Sequence, residues 1–226
     1  MLALALETST RAASVALVWV PSDGAEAHFA ATLDGERPHV AELLPLAAGL
    51  FAAAGCSPRD LTHVFVGIGP GSYTGLRVGV SLTLGLAVGP EPPLLFGVPS
   101  PEALLWAQLA EGEAGHWLGD ARAGTWYRSA ARRAPRFEVT LAPSLIPDAE
   151  LLPTGRLFTD ADSAPRLVEC LTRAGRAFAP PEVHAPHATD VLGLGRERLR
   201  AGLAPSAPSE LAPLYLREFA AKVRVR

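Results

Sequence analysis

The chain is poor in the residues that build disulfide frameworks and soft-metal sites. Of its 226 residues only Cys56 and Cys170 are cysteine, too few for a disulfide network or a thiolate metal site. Lysine occurs once, at Lys222, and asparagine is absent, so arginine carries nearly all of the positive charge. The single lysine excludes a Walker A loop, which needs a lysine next to its second glycine.

Charge and hydrophobicity are those of a globular protein without a strongly basic surface. The formal net charge is −3 and the pI is about 6.1, which does not indicate an autonomous nucleic-acid-binding protein. Hydrophobic residues make up 49% of the chain and charged residues 19%, a balance that favours a folded core. The opening residues contain no secretory n-region, and we expect a cytoplasmic protein that does not bind membranes.

A glycine-rich segment near the middle of the first half is the most distinctive local pattern. Val64–Ile68 has the composition of a buried strand, Gly69–Gly75 of a tight turn, and the residues after Thr74 of an apolar helix. A helix N-terminus behind such a turn favours anions, because its first N–H groups lack partners. A dinucleotide-binding fold is a weak alternative, since this turn follows three strands and a helix rather than the first strand.

The first strand ends in a polar turn that admits two interpretations. Glu7, Thr8 and Ser9 directly follow the apolar residues Leu2–Leu6, and a carboxylate with two hydroxyls can meet a phosphate or its metal. The alternative is an ordinary polar β-turn, in which Ser and Thr bond the local backbone.

The order of predicted elements repeats. The first hundred residues give β-β-β-α-β-α-β-α, and from His116 onward a hairpin and a further strand repeat the opening pattern, which predicts a pseudo-duplicated two-lobed α/β fold. The first helix is predicted from Pro38 to Ala54. The second helix is apolar nearly all round, which gives it more apolar surface than one core-facing side needs. Either full burial within the chain or an interface with a partner accounts for this surplus apolar surface.

Several segments together resemble the TsaB (YeaZ) family of bacterial proteins. The segments are LALETSTRAASVAL, PHVAELLPLAAGLFAAAG, GIGPGSYTGLRVGVSLTLGLAVG, GVPSPEAL, DARAGTWY and APLYLR. They cover most of the first hundred residues, whereas in the remainder of the chain only short separate segments match. The resemblance implies an actin-like (ASKHA, ribonuclease H-like) fold, with residues 1–100 as the first lobe and 101–226 as the second. Residues from about 203 are expected to return to the first lobe.

The resemblance also implies a function. Members support the transferase TsaD, together with TsaE, in forming N6-threonylcarbamoyladenosine next to the anticodon of ANN-decoding tRNAs, and they are themselves non-catalytic. The implied partners are TsaD, bound through the first two helices, and TsaE. A homodimer is expected when the chain is alone. The chain is expected to contact tRNA only as part of the complex. No cofactor is expected to bind strongly to the chain alone. ATP or ADP is expected to bind only when the chain is in complex with its partners.

The family pattern supplies candidate site residues. A vestigial nucleotide-binding site is expected at Glu7, Thr8, Ser9, Gly69, Gly71, Ser72 and Asp120. A partner interface is expected at His39, Glu42, Leu46, Gly49 and Ala53 on the first helix, and at Arg77, Val78, Ser81, Leu82 and Gly85 on the second. No catalytic or metal-ligating residue is expected, since the H-x-x-x-H pair of TsaD is absent and Glu7 stands where active actin-like ATPases have Asp.

Two other functions stay open at the level of sequence. An autonomous actin-like ATPase or small-molecule kinase would need an efficient site at Glu7 and Asp120, and a longer carboxylate at Glu7 argues against it. A glycoprotease would need a metal-ligand pair, a Ser-His-Asp set or an activated cysteine, and the sequence shows no pattern of that kind.

Overall fold

A five-stranded sheet forms the first lobe. The computed structural model describes residues 1–21, 25–33, 42–151, 155–175 and 178–217. The strands are β1 (Leu2–Glu7), β2 (Ala13–Trp19), β3 (Ala27–Leu33), β4 (His63–Gly67) and β5 (Leu94–Val98), in the order β3-β2-β1-β4-β5. β1 pairs antiparallel with β2 and parallel with β4. All six residues of β1 are buried, because helices cover both faces of this central strand.

Each face of the first sheet packs against its own pair of helices. Helices α1 (Leu43–Ala54) and α2 (Tyr73–Leu86) cover one face, where Leu4 and Leu6 meet Leu43 and Phe51. Helix α5 (Ala188–Arg200) lies on the other face, and Ala103 of helix α3 (Ser100–Gln108) joins the same core. The alternation along β1 explains this arrangement, since odd and even residues of a strand point to opposite faces.

A second five-stranded sheet forms the other lobe. Its strands are β6 (Ala114–Arg122), β7 (Thr125–Arg133), β8 (Phe137–Pro147), β9 (Arg156–Thr159) and β10 (Glu182–Val183), in the order β10-β9-β6-β7-β8. Helix α4 (Ala164–Arg173) packs Leu167 and Leu171 on one face. Helix α3 covers the other face and thereby contacts both sheets. The predicted two-lobed fold with a β-β-β-α-β-α-β-α first lobe is confirmed.

The structure bears on two further sequence-based predictions, the start of the first helix and the return of the chain to the first lobe. Helix α1 is described from Leu43, and its predicted start at Pro38 lies outside the described residues. The return to the first lobe begins at Ala188 rather than near residue 203, because the apolar side chains Val191 and Leu194 of α5 complete the first lobe's core.

The first part of the segment after α5 packs on the first lobe. Ser206 bridges Leu95 of β5, and the Leu211 side chain joins the core under α1 and α2. None of the helices in the described part of the chain is long and apolar enough to cross a membrane.

Candidate functional site

A cleft of about 1080 Å³ lies where the ends of β1 and β6 approach each other. Residues of the turn after β1, the N-terminus of α2, the β6–β7 hairpin and the C-terminal segment line it. Five of the predicted nucleotide-site residues are among them: Thr8, Ser9, Gly71, Ser72 and Asp120. Glu7 and Gly69 are buried and do not line the cleft.

Glycines at four-residue spacing let α2 approach the turn after β1 closely. A Cβ atom at Gly71 would lie 2.2 Å from the Ser9 carbonyl oxygen, and one at Gly75 would lie 2.1 Å from the Thr8 carbonyl oxygen. At Gly79 a Cβ would meet the Thr8 hydroxyl at 2.5 Å. These positions therefore require glycine for backbone packing within the chain. The sequence pattern suggested instead that the glycine-rich turn Gly69–Gly75 holds an anion.

The N-terminus of α2 opens toward the cleft. The Ser72 hydroxyl accepts a hydrogen bond from the Gly75 N–H at 3.2 Å, and the Ser72 N–H donates to the Ser9 carbonyl at 2.7 Å. Tyr73 and Thr74 in the first turn also line the cleft. The positive end of the helix dipole therefore faces this space.

Glu7 is fully buried behind the cleft. One carboxyl oxygen accepts the Ser9 N–H at 2.6 Å, and the other occupies the space that a Cβ at Gly67 would need. Burial raises the pKa of the Glu7 carboxyl, and hydrogen bonds from Ser9 and Ser100 offset only part of this effect. From this buried position the Glu7 side chain does not reach the cleft.

Asp120, the corresponding carboxylate of the second lobe, is engaged by an internal arginine. The Arg166 guanidinium donates to Asp120 and, at 2.6 Å, to Asp148. The same guanidinium lies 4.5 Å from the centroid of the Trp126 ring. Sequence reasoning missed Arg166, because no local pattern in α4 connects it with a hairpin 46 residues away.

The other carboxylates of the cleft also have partners within the chain. Asp160 accepts hydrogen bonds from the N–H and the hydroxyl of Ser163 at 2.9 and 2.8 Å. Asp162 pairs with Arg11 across the two lobes at 2.9 Å. Within the described residues no group of three or more His, Cys, Asp or Glu side chains could hold a metal ion.

The C-terminal segment connects the two sides of the cleft. The Leu214 N–H donates to the Ile68 carbonyl of the first lobe, and the Arg217 guanidinium donates to the Ala121 carbonyl of the second. Between them, Tyr215 packs on Tyr73 with ring centroids 5.0 Å apart.

A second candidate surface lies on the paired helices α1 and α2. Between the helices, an apolar groove of about 280 Å³ is lined by leucine, alanine, phenylalanine and proline side chains only. Leu44 beside it is 52% exposed. The surplus apolar surface of α2 is thus incompletely covered within the chain, since Val78, Leu82, Leu84 and Leu86 stay half-buried.

The predicted interface residues lie along this pair of helices. Exposed positions are Glu42, Gly49, Ala53, Arg77, Ser81 and Gly85, and half-buried positions are Leu46, Val78 and Leu82. His39 lies outside the described residues. A Cβ atom at Gly49 or Gly85 would meet no atom within 4 Å, so both glycines border open space.

Comparison with known proteins decides the family. Residues 34–152, more than half of the chain, match the family model described as TsaD: tRNA N6-adenosine threonylcarbamoyltransferase. The chain belongs to this family, in its TsaB (YeaZ) branch. It is 29% identical to the tRNA threonylcarbamoyladenosine biosynthesis protein TsaB of Escherichia coli K12 over 95% of this chain and 94% of that protein. TsaB of Bacillus subtilis is 26% identical over 96% and 94% of the two chains.

Solved structures of the TsaB (YeaZ) family share the fold. YeaZ from Pseudomonas aeruginosa superposes with a TM-score of 0.75 at 23% identity, over 95% of this chain and 99% of that one. A second structure, described as an uncharacterised protein with similarity to peptidase YEAZ from the same organism, gives 0.76 at 23% identity over 96% and 99%. The two lobes therefore have the architecture of YeaZ, as the resemblance implied. The family membership also implies a role in tRNA threonylcarbamoyladenosine biosynthesis.

Proposed function

We propose that the chain is a non-catalytic scaffold subunit that binds TsaD and, with TsaE, supports formation of N6-threonylcarbamoyladenosine. The modified adenosine would be the one next to the anticodon of ANN-decoding tRNAs. In this proposal the chain works in the cytoplasm, binds no cofactor strongly by itself, and meets tRNA only through the complex. The single observation that carries the proposal is the exposed, apolar surface of α1 and α2.

The composition of this surface suits a helix-on-helix contact. Gly49 and Gly85 allow a neighbouring helix to approach closely, and the apolar groove between α1 and α2 can accept an aliphatic side chain. Glu42 and Arg77 provide charges at the border of the apolar area. TsaD is the proposed occupant, and a second copy of the chain is the expected occupant when TsaD is absent.

The two carboxylates expected of an actin-like metal-nucleotide site do not fit a divalent cation here. Glu7 is buried with a raised pKa, whereas a cation requires an ionised carboxylate facing it. Asp120 forms an ion pair with Arg166, and this positive side chain competes with any cation for the carboxylate. These features support the non-catalytic proposal over an autonomous ATPase or kinase.

The test combines complex formation with tRNA modification. Size-exclusion chromatography with light scattering is run on the chain alone and mixed with TsaD of the same organism, followed by a threonylcarbamoylation assay with TsaE. The proposal expects a stable complex, and repeated turnover only in the mixture. A chain that stays separate from TsaD while hydrolysing ATP alone would contradict it.

A matched pair of variants tests the surface itself. Gly49→Arg should weaken the TsaD complex by at least about tenfold, because a long cation would project from the centre of the contact. The variant should fold normally, since Gly49 borders open space. Ala174→Arg places the same side chain at an exposed position of the second lobe and should leave the complex intact. Equal affinities of the two variants for TsaD would rule out this surface as the TsaD-binding interface.

A further inference from the structure

Helix α3 joins the two lobes outside the cleft. Its residues Leu104 and Leu105 share a buried cluster with Phe158 of the second sheet, and the Trp106 indole N–H donates to Glu197 of α5 at 2.7 Å. All of α3 is described, and none of its residues lines the cleft. Two lobes that share one helix can change their relative angle by hinge or shear movements around it. The angle therefore depends on contacts that the lobes make elsewhere.

The C-terminal segment Leu214–Arg217 connects the lobes at the cleft itself. The Leu214 N–H donates to the Ile68 carbonyl of the first lobe at 2.7 Å, and the Arg217 guanidinium donates to the Ala121 carbonyl of the second lobe at 2.6 Å. Four residues span at most about 11 Å between their first and last Cα atoms. A substantial opening of the cleft therefore breaks one of these two hydrogen bonds.

Aromatic packing fixes the first-lobe end of this segment. The Tyr215 ring packs on Tyr73, the first residue of α2, with ring centroids 5.0 Å apart. The Tyr73 hydroxyl accepts a hydrogen bond from Arg77 at 3.1 Å, and the Arg77 guanidinium lies 5.4 Å from the centroid of the Tyr73 ring. Aromatic pairs and cation–π contacts both add to the stability of such an arrangement. The segment thus holds the first lobe by several contacts and reaches the second lobe through the Arg217 guanidinium.

A second connection across the cleft is weaker. Arg11 pairs with Asp162 at 2.9 Å, but the two side chains are 70% and 47% exposed. Ion pairs this exposed contribute little, because water and salt screen them. The Arg217 guanidinium instead makes a charge-assisted hydrogen bond to the carbonyl of the buried Ala121. The comparison favours the C-terminal segment as the contact that sets the angle between the lobes.

We propose that Leu214–Arg217 is a latch that holds the two lobes at one angle, and that its release opens the cleft. Arg217 is the movable end of the latch, since breaking its hydrogen bond leaves the segment attached to the first lobe through Leu214 and Tyr215. Release requires the loss of one charge-assisted hydrogen bond and leaves the core of each lobe intact. The latch is a property of the chain itself and does not depend on TsaD.

Distance measurements between two spin labels test the latch. The labels are attached at Arg59→Cys in the first lobe and Ala174→Cys in the second, which are exposed positions, after the native Cys56 and Cys170 have been replaced by alanine. Double electron–electron resonance on this full-length parent chain should give one narrow distance distribution. Adding Arg217→Ala should raise the ratio of open to closed molecules about tenfold, the effect of losing one charge-assisted hydrogen bond.

A larger change should follow when the whole latch is removed. A chain that ends at Pro213 also lacks the Tyr215 contact, so its distance distribution should be broader than that of Arg217→Ala. Leu211, which packs in the first lobe's core, is retained in this chain, and circular dichroism checks that both variants are folded. Equal distance distributions for the parent chain and the chain ending at Pro213 would overturn the proposal.

Arg122→Ala is the matched control. Arg122 lies next to Ala121 in the β6–β7 hairpin, and its guanidinium approaches Asp120 of its own lobe at 3.8 Å, so this variant should keep the parent distribution. Equal broadening by Arg122→Ala and Arg217→Ala would contradict the latch. Salt at about 1 M screens the exposed Arg11 pair and should change little, whereas broadening by salt as large as that of Arg217→Ala would assign the angle to the ion pair instead. Because these measurements omit TsaD, their failure leaves the scaffold proposal intact, and the converse also holds.

Discussion

The corresponding carboxylates of the two lobes, Glu7 and Asp120, lie in different electrostatic surroundings. In the first lobe, Glu7 is buried, and the loss of hydration raises its pKa. In the second lobe, the half-buried Asp120 side chain forms an ion pair with Arg166. Desolvation acts in one lobe and ion pairing in the other. The same strand-and-turn arrangement thus holds a carboxylate in two different ways.

Removing Arg166, the internal counter-ion of Asp120, should produce the largest change in the free energy of unfolding. Arg166→Ala leaves Asp120 and Asp148 without their shared partner, and we expect a loss of about 3 kcal/mol in the free energy of unfolding. Urea denaturation at neutral pH measures it. Arg173→Ala removes an exposed i,i+4 pair with Glu169 and should cost less than about 0.5 kcal/mol. A similar small cost for both variants would show that Asp120 does not depend on Arg166.

Separating α2 from the turn after Glu7 should have the next largest effect. Gly75→Ala forces a Cβ atom against the Thr8 carbonyl, and we expect a loss of about 2 kcal/mol from the resulting backbone shift. Gly85→Ala lies on the same helix in open space and should stabilise the protein by up to about 1 kcal/mol, as alanine generally does in helices. Thermal unfolding of the two variants gives the comparison. Stabilisation by both would contradict the close packing.

Substituting the buried acid should give the smallest and most pH-dependent effect. The folded carboxyl of Glu7 has a pKa above its ordinary value of 4.5, so the folded state retains a proton that the unfolded state releases. Raising the pH through this window therefore destabilises the wild-type chain. Glu7→Gln cannot lose that proton, so its stability relative to wild type should rise as the pH increases above the ordinary glutamate pKa of 4.5.

Denaturation of both proteins at each pH provides the measurement. Asp190, whose pKa burial raises to about 6, contributes a loss of the same sign in both chains and largely cancels in the difference. A stability difference that is constant with pH would mean that Glu7 is ionised in the folded state.

The order of elements could be predicted from sequence because local patterns determine it. β1 is a continuous apolar run and α2 follows a capping serine, and both are properties of neighbouring residues. The purpose of Gly71 and Gly75 could not be predicted, since glycine is required both where a backbone approaches a ligand and where two backbones approach each other. The positions of the Thr8 and Ser9 carbonyl groups in the folded chain distinguish these two cases.

Long-range partners could not be predicted for a similar reason. The pairing of Arg166 with Asp120, and the packing of α5 on the first sheet, join residues far apart in sequence. An arginine on an amphipathic helix has the same local signature whether it meets water or a distant carboxylate. The strand β10 is only two residues long and lies among prolines, so its pairing with β9 leaves almost no pattern.

The position of α5 has a consequence for synthesis of the chain. One face of the first sheet is covered by residues Ala188–Arg200, near the end of the sequence. During translation, α5 emerges only after most of the second lobe, so until then this apolar face of the N-terminal lobe is incompletely covered. The first lobe to be made is thus among the last parts of the molecule to be completed, and a nascent chain stalled before α5 would be a substrate for chaperones rather than a folded half.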